Sequence, residues 1–165
     1  MGYDTQFDEY VTIEPPLNAS EISYLIDFAG TRRMNRRMGP LFVDGGEADI
    51  IDGNRPPEGQ PGLWCQWVPN KEGTALEWDQ GEKFYESAAW MKYLIDNLLA
   101  LSAQGYVARH VDEDPRLYHF TFNHVLNGTI YAQGEDPDDR WMLVVENNVV
   151  KVANSELVYG EAKPI

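Results

Sequence analysis

The spacing of apolar residues predicts two main helices in this chain. In the segment 17–30, apolar side chains recur at intervals of three and four residues, which places them on one face of a helix. Asn18 and Glu21 have the spacing of a capping box at its start. Gly30 can end such a helix, but the helical period also continues through the arginines that follow, and we predict a helix over about residues 18–38.

The second helix is predicted over about residues 80–104. Asp79 and Glu82 have capping-box spacing before it, and an apolar stripe follows at helical intervals. Gly105 is a stop signal at its end. The segment 106–119 that comes next carries no clear period.

Shorter segments alternate apolar and polar residues, as strands do. They are residues 5–13, two short pieces within 41–62, residues 63–69 and 75–79 as a pair, and most of the chain beyond residue 120. In that last part, Asn127-Gly128 and Asn147-Asn148 predict hairpin turns. Helices segregated from antiparallel strands are typical of the α+β class. We therefore predict one domain over residues 1–165, with an antiparallel sheet, a C-terminal β-meander and the two main helices.

The charge balance limits the kinds of partner that we expect. The chain of 165 residues has 27 acidic and 13 basic residues, and its net charge is −14. Because such a field repels phosphate backbones and anionic lipids, we expect neither direct nucleic-acid binding nor membrane binding. No secretory signal and no apolar run of membrane-spanning length is visible, and the single Cys65 excludes an internal disulfide. These features predict a cytoplasmic protein.

The basic residues are concentrated in one short segment. Arg32, Arg33, Arg36 and Arg37 lie within six positions, and in a continuing helix they would cover one side of it. Guanidinium groups bind phosphate and carboxylate in a bidentate way, which points to an anion site. The alternative is structural, with the arginines paired to nearby acids and holding a loop against the helix.

Two further groups of residues are candidate ligand contacts. Trp64 and Trp78 lie in a tryptophan-rich part of the chain, and indole rings stack on bases and cations. Asp44, Asp52 and Asn54 belong to glycine-rich loops whose oxygens can hydrogen-bond a ligand. The alternatives are an aromatic core and ordinary turns, which favour Asp, Asn and Gly.

Common catalytic and cofactor motifs are absent from the sequence. It contains no HExxH, no phosphate-binding P-loop, no GxGxxG and no GxSxG. We accordingly expect no metal or cofactor and no catalytic residue. An enzyme with a loop carboxylate as general base is a less favoured hypothesis.

Several motifs in order carry a family resemblance. They are "TRRM", "QPGLWCQW", "GEKFYE" and the C-terminal "LNGTI" followed by "DDRW". In this set the chain resembles a family of small uncharacterised proteins of bacteria, notably actinobacteria, and of their phages. The resemblance implies a phage or bacterial gene product and, for a phage gene, the host cytoplasm. It implies no activity.

Two functional hypotheses remain. In the first, the protein is a binding module for a nucleotide-like or other anionic small molecule, held by the arginines, tryptophans and loop residues named above. In a phage setting, it would sequester a host signalling nucleotide as an anti-defence protein. In the second, the acidic surface docks a host protein or mimics nucleic acid.

Overall fold

The computed structural model describes residues 2–43 and 45–165 and confirms the α+β class. The strands are Gln6–Asp8 (β1), Val11–Glu14 (β2), Asn35–Arg36 (β3), Ile50–Asp52 (β4), Trp67–Pro69 (β5), Ala75–Trp78 (β6), Val125–Gln133 (β7), Arg140–Glu146 (β8) and Val149–Asn154 (β9). The α-helices are Ala19–Ala29 (α1), Ser87–Leu94 (α2) and Gln104–His110 (α3). A π-helical turn spans Ile95–Leu99, and 3₁₀ turns span Leu101–Ala103, Val111–Glu113 and Pro115–His119. Within the described residues, no helix is both long enough and apolar enough to cross a membrane.

The main sheet is antiparallel and has one buried face. Its strand order is β5-β6-β2-β7-β8-β9, and β1 pairs with β7 beside β2. Side chains alternate between the two faces of a strand, so Val11 and Ile13 of β2 are buried while Thr12 between them is exposed. The buried face packs with α1 and α2 into one hydrophobic core. The opposite face of the sheet, called the outer face below, carries the exposed residues.

The first helix begins as predicted but ends early. The capping box between Asn18 and Glu21 is present in both directions. The predicted continuation to residue 38 is wrong, because α1 ends at Ala29 and Gly30 caps it.

Hydrogen bonds to distant loops explain this early end. The Thr31 hydroxyl is 2.6 Å from the Val43 carbonyl oxygen, and the backbone N–H of Arg33 donates to the Leu63 carbonyl at 2.7 Å. The chain therefore leaves the helix and continues as an extended segment into β3.

The predicted helix over 80–104 is shorter at both ends. Three residues ahead of α2 have left-handed backbones (Gln80, φ 67°; Lys83, φ 56°; Glu86, φ 59°), which a right-handed helix does not accommodate. The helix begins only at Ser87, so Asp79 cannot cap it. At the other end it widens into the π-helical turn and stops at Ala100, whose backbone is extended (ψ 166°).

One of the two predicted hairpin turns is confirmed. Asn147 and Asn148 connect β8 to β9 with φ angles of 46° and 71°, as a type I′ turn requires. The turn predicted at Asn127-Gly128 is wrong, because both residues lie inside β7. Gly128 has a φ of 151°, and a Cβ added there would lie 2.8 Å from the Tyr10 carbonyl oxygen. This glycine lets β2 approach β7 closely.

Replacing Gly128 with alanine is therefore expected to destabilise the protein by about 2–3 kcal/mol, because the new methyl group meets backbone atoms in a strained conformation. Urea unfolding of Gly128→Ala measures the loss. The matched control is Gly105→Ala, an exposed position in α3 whose nearest contact would be at 4.0 Å. An equal loss of stability in both variants would contradict this explanation.

Candidate functional site

The four predicted arginines do not share one face. Because residues 31–38 are not helical, their side chains do not follow the helical period on which that prediction rested. Arg33 and Arg36 are buried, Arg32 is half-buried and Arg37 is exposed. The arginine face that a long helix would have built is absent.

Arg33 extends into the core and is only 1% exposed. Its Nη2 donates to the carbonyl oxygens of Pro40 and Phe42 at 2.7 and 3.0 Å. Its Nε donates to Oε1 of Gln60 at 3.3 Å, and the guanidinium carbon lies 4.2 Å from the centre of the Phe28 ring. Arg33 thus holds the segment 40–42 against the core.

The charge of Arg33 is not balanced by any carboxylate that the structure describes. None lies within 4.0 Å of its guanidinium, and its Nη1 has no hydrogen-bond partner among the described residues. Burial lowers the pKa of Arg33, but a guanidinium remains charged in proteins. A positive charge is therefore left in the interior, where the low effective dielectric screens it weakly.

The other arginines have different partners. Arg36 forms an ion pair with Asp49 at 2.9 Å and donates to the Gly46 carbonyl at 3.1 Å. Arg32 donates to the Gly53 carbonyl at 3.1 Å. The structural interpretation of the segment, in which the arginines pair with acids, applies to Arg36. Arg32 and Arg33 instead donate to backbone carbonyl oxygens.

The predicted acidic loop residues form an ordinary turn where the structure describes them. The carboxylate of Asp52 accepts the backbone N–H of Asn54 at 2.9 Å and lies 3.8 Å from the guanidinium of Arg55. Asn54 is exposed. Asp44 lies outside the described residues.

The two predicted tryptophans lie in different places. Trp64 is 43% exposed and follows Leu63, which pairs with the backbone of Arg33. Trp78 lies on β6, half-buried against Phe7 with ring centres 5.5 Å apart. The structure therefore does not bring the two indoles together at the arginine segment.

A chain of hydrogen bonds leads from Arg33 towards the surface. Gln60 accepts from Arg33 and donates to the Tyr93 hydroxyl at 3.1 Å. The hydroxyl oxygens of Tyr93 and Tyr106 are 3.3 Å apart. Either hydroxyl can donate in this contact. When Tyr93 is the donor, the Tyr106 hydrogen has no acceptor among the residues that the structure describes.

The Tyr106 ring lines a cleft of about 410 Å³ between α3 and the loops around β3. The residues that line it are Asn35, Arg36, Pro40, Pro57, Glu58, Tyr106 and His110. Arg36 is the predicted site residue among them. The volume lies within the range of about 300–1,000 Å³ that small-molecule sites occupy.

Basic and acidic groups both border this cleft, called the α3 cleft below. The Arg109 guanidinium lies 5.8 Å from the centre of the Tyr106 ring. His110 is within 2.5 Å of Glu113, and its ring centre lies 4.8 Å from that of Tyr106. The lining thus contains the basic Arg36 and His110 as well as the acidic Glu58, and it combines hydrogen-bond donors with two adjacent rings.

Several residues of this site are not visible as such in the sequence. Gln60, Tyr93, Tyr106 and His110 are distant along the chain and belong to no motif. The one usable signal was the arginine segment, whose cationic groups point to an anion site without indicating which of them are buried.

Comparison with known proteins gives no match. No protein-family model fits the chain, and no curated protein and no solved structure is significantly similar to it.

Proposed function

We propose that the protein is a binding module for a small anionic molecule, and that the α3 cleft is the binding site. The observation that carries the proposal is the hydrogen-bond chain from Arg33 to Tyr106. It connects the buried guanidinium of Arg33, which no described carboxylate neutralises, to the hydroxyl group of a tyrosine that lines the cleft. Such a donor is suited to a phosphate or carboxylate oxygen.

The walls of the cleft favour a ligand that also has a flat apolar part. The adjacent rings of Tyr106 and His110, with Pro40 and Pro57, offer surface for stacking. Arg36 brings a second cationic group to the same cleft, already oriented by Asp49. A nucleotide-like molecule combines an anionic group with a stacking ring. In a phage setting, the same binding would sequester a host signalling nucleotide.

Removing the Tyr106 hydroxyl is expected to weaken binding of a nucleotide by about tenfold or more, because a hydrogen bond to a charged acceptor contributes about 1.5–3 kcal/mol. Calorimetric titration of wild type and Tyr106→Phe with adenosine monophosphate measures the effect. The ring and its packing are kept, so the fold is preserved.

The matched control is Tyr118→Phe, which removes an exposed hydroxyl that donates to Asp112 on a nearby turn. Its affinity is expected to equal that of wild type. Equal affinities of wild type and Tyr106→Phe would exclude the hydroxyl as a ligand contact and would contradict the proposed site.

A further inference from the structure

The outer face of the main sheet carries adjoining cavities. Three cavities of about 550, 380 and 400 Å³ open on this face. Asp8 lines the first and second, and Tyr10 and Glu77 line the second and third. Because they share these residues, the cavities adjoin one another beside β1, β2 and β6, and the three together are called the outer groove below. It is remote in sequence from the α3 cleft and shares no lining residue with it.

Carboxylates and aromatic rings line the outer groove. The acidic residues are Asp8, Glu9, Glu14 and Glu77. None of their carboxylates takes part in a hydrogen bond or ion pair with another residue that the structure describes. Among the described residues, Arg140 is the one basic residue that lines the groove, and its Nε donates to Oε1 of Gln133.

The exposed rings of the groove are Tyr10, 49% accessible, and Tyr131, 56% accessible. Trp78 also lines the groove, but its ring packs against Phe7 of the core. Tyrosine and tryptophan are enriched at the centres of protein interfaces, and their faces attract ammonium and guanidinium groups. On an uncovered sheet face, such rings indicate a surface that a partner covers.

The negative charge of the groove favours a positively charged partner. A second copy of this chain also carries a net charge of −14, so the two acidic faces would repel each other. Nucleic acid and anionic lipid are repelled for the same reason. We infer that the outer groove docks a protein partner through lysine and arginine side chains, which form ion pairs with the carboxylates of Asp8, Glu9 and Glu77 beside the exposed ring of Tyr10.

The test uses a dye-labelled synthetic peptide of alternating arginine and glycine, titrated with the whole protein and followed by fluorescence anisotropy. The groove variant combines Asp8→Asn, Glu9→Gln and Glu77→Gln. The control combines Asp138→Asn, Glu156→Gln and Glu161→Gln, which are also exposed and change the net charge equally. Thermal unfolding verifies that both variants are folded.

We expect the groove variant to bind the peptide about tenfold more weakly than the control, because three carboxylates that would form ion pairs with the arginines are lost. Equal weakening in both variants would show that diffuse acidity attracts the peptide, and absence of binding by the wild type would show that the groove receives no basic segment. A dimer in sedimentation analysis that the groove variant abolishes would assign the groove to a second copy. Each of these three results overturns the inference.

Discussion

Replacing Glu21 with alanine is expected to lower the free energy of unfolding by about 4 kcal/mol, because it removes a capping box and leaves a buried imidazolium unpaired. Glu21 and His124 are both almost fully buried, and their Oε2 and Nε2 atoms are 2.7 Å apart. The other ring nitrogen of His124 lies 2.7 Å from the Pro15 carbonyl oxygen. When Glu21 is ionised, its oxygen and that of Pro15 can only accept, which favours the doubly protonated ring.

The same pair makes stability depend on pH. Burial opposes both charged forms, but the hydrogen bonds to Glu21 and Pro15 outweigh it and raise the pKa of His124. At Glu21, the hydrogen bonds that its carboxylate accepts from His124 and from the Asn18 backbone outweigh burial and lower its pKa. The His124 contribution is complete below the unfolded pKa of 6.5 and disappears as the pH rises through the raised pKa. The contribution of Glu21 to stability is complete above its unfolded pKa of 4.5. It disappears as the pH falls through the lowered pKa that Glu21 has in the folded protein.

Urea unfolding between about pH 2 and 9 measures both effects, and the wild type is expected to gain most from this pair between about pH 4.5 and 6.5. Glu21→Gln keeps a capping side chain but lacks the charge, so its stability should depend less on pH than that of the wild type. The control Glu14→Ala, at an exposed position of β2, should retain the wild-type profile. A profile of Glu21→Gln that parallels the wild type would show that the ion pair does not contribute.

Replacing Arg33 with methionine is expected to destabilise the fold by about 3 kcal/mol. Methionine keeps much of the aliphatic stem, but the carbonyl oxygen of Phe42 and the amide oxygen of Gln60 lose their donor. A buried polar group without a partner costs about 1–3 kcal/mol, and the contact with the Phe28 ring is also lost. The variant no longer buries a positive charge, and this gain in stability offsets only part of the loss.

Arg37→Met is the control for that substitution, because Arg37 is exposed in the same segment. Its unfolding free energy should stay within about 0.5 kcal/mol of the wild type. If Arg33→Met were as stable as Arg37→Met, the carbonyl oxygens around Arg33 would not depend on it, and the view of Arg33 as the residue that holds the segment 40–42 would be wrong.

Local signals in the sequence predicted the features that depend on near neighbours. The capping box of Asn18 and Glu21 and the turn at Asn147-Asn148 involve residues a few positions apart, and both are confirmed. The alternation of apolar residues likewise predicted the antiparallel sheet and the α+β class.

Tertiary contacts decided the features that local signals missed. Asn127-Gly128 has the composition of a turn, yet the glycine is needed where β2 meets β7. The arginine segment has a helical period, yet hydrogen bonds to residues 43 and 63 draw it out of the helix. The α3 cleft unites residues 35, 57 and 106, and the hydrogen-bond chain that leads to it adds residues 60 and 93; no periodicity connects them.

The central claim is that the α3 cleft binds a small anionic molecule, and an amide chemical-shift titration of the ¹⁵N-labelled protein with adenosine monophosphate tests it most directly. We predict saturable shifts at Asn35, Arg36, Tyr106 and His110, and weaker ones at residues that contact Arg33. Tyr106→Phe should require more nucleotide for the same shifts. Shifts confined to the outer groove, or no shifts at millimolar nucleotide, would contradict the claim.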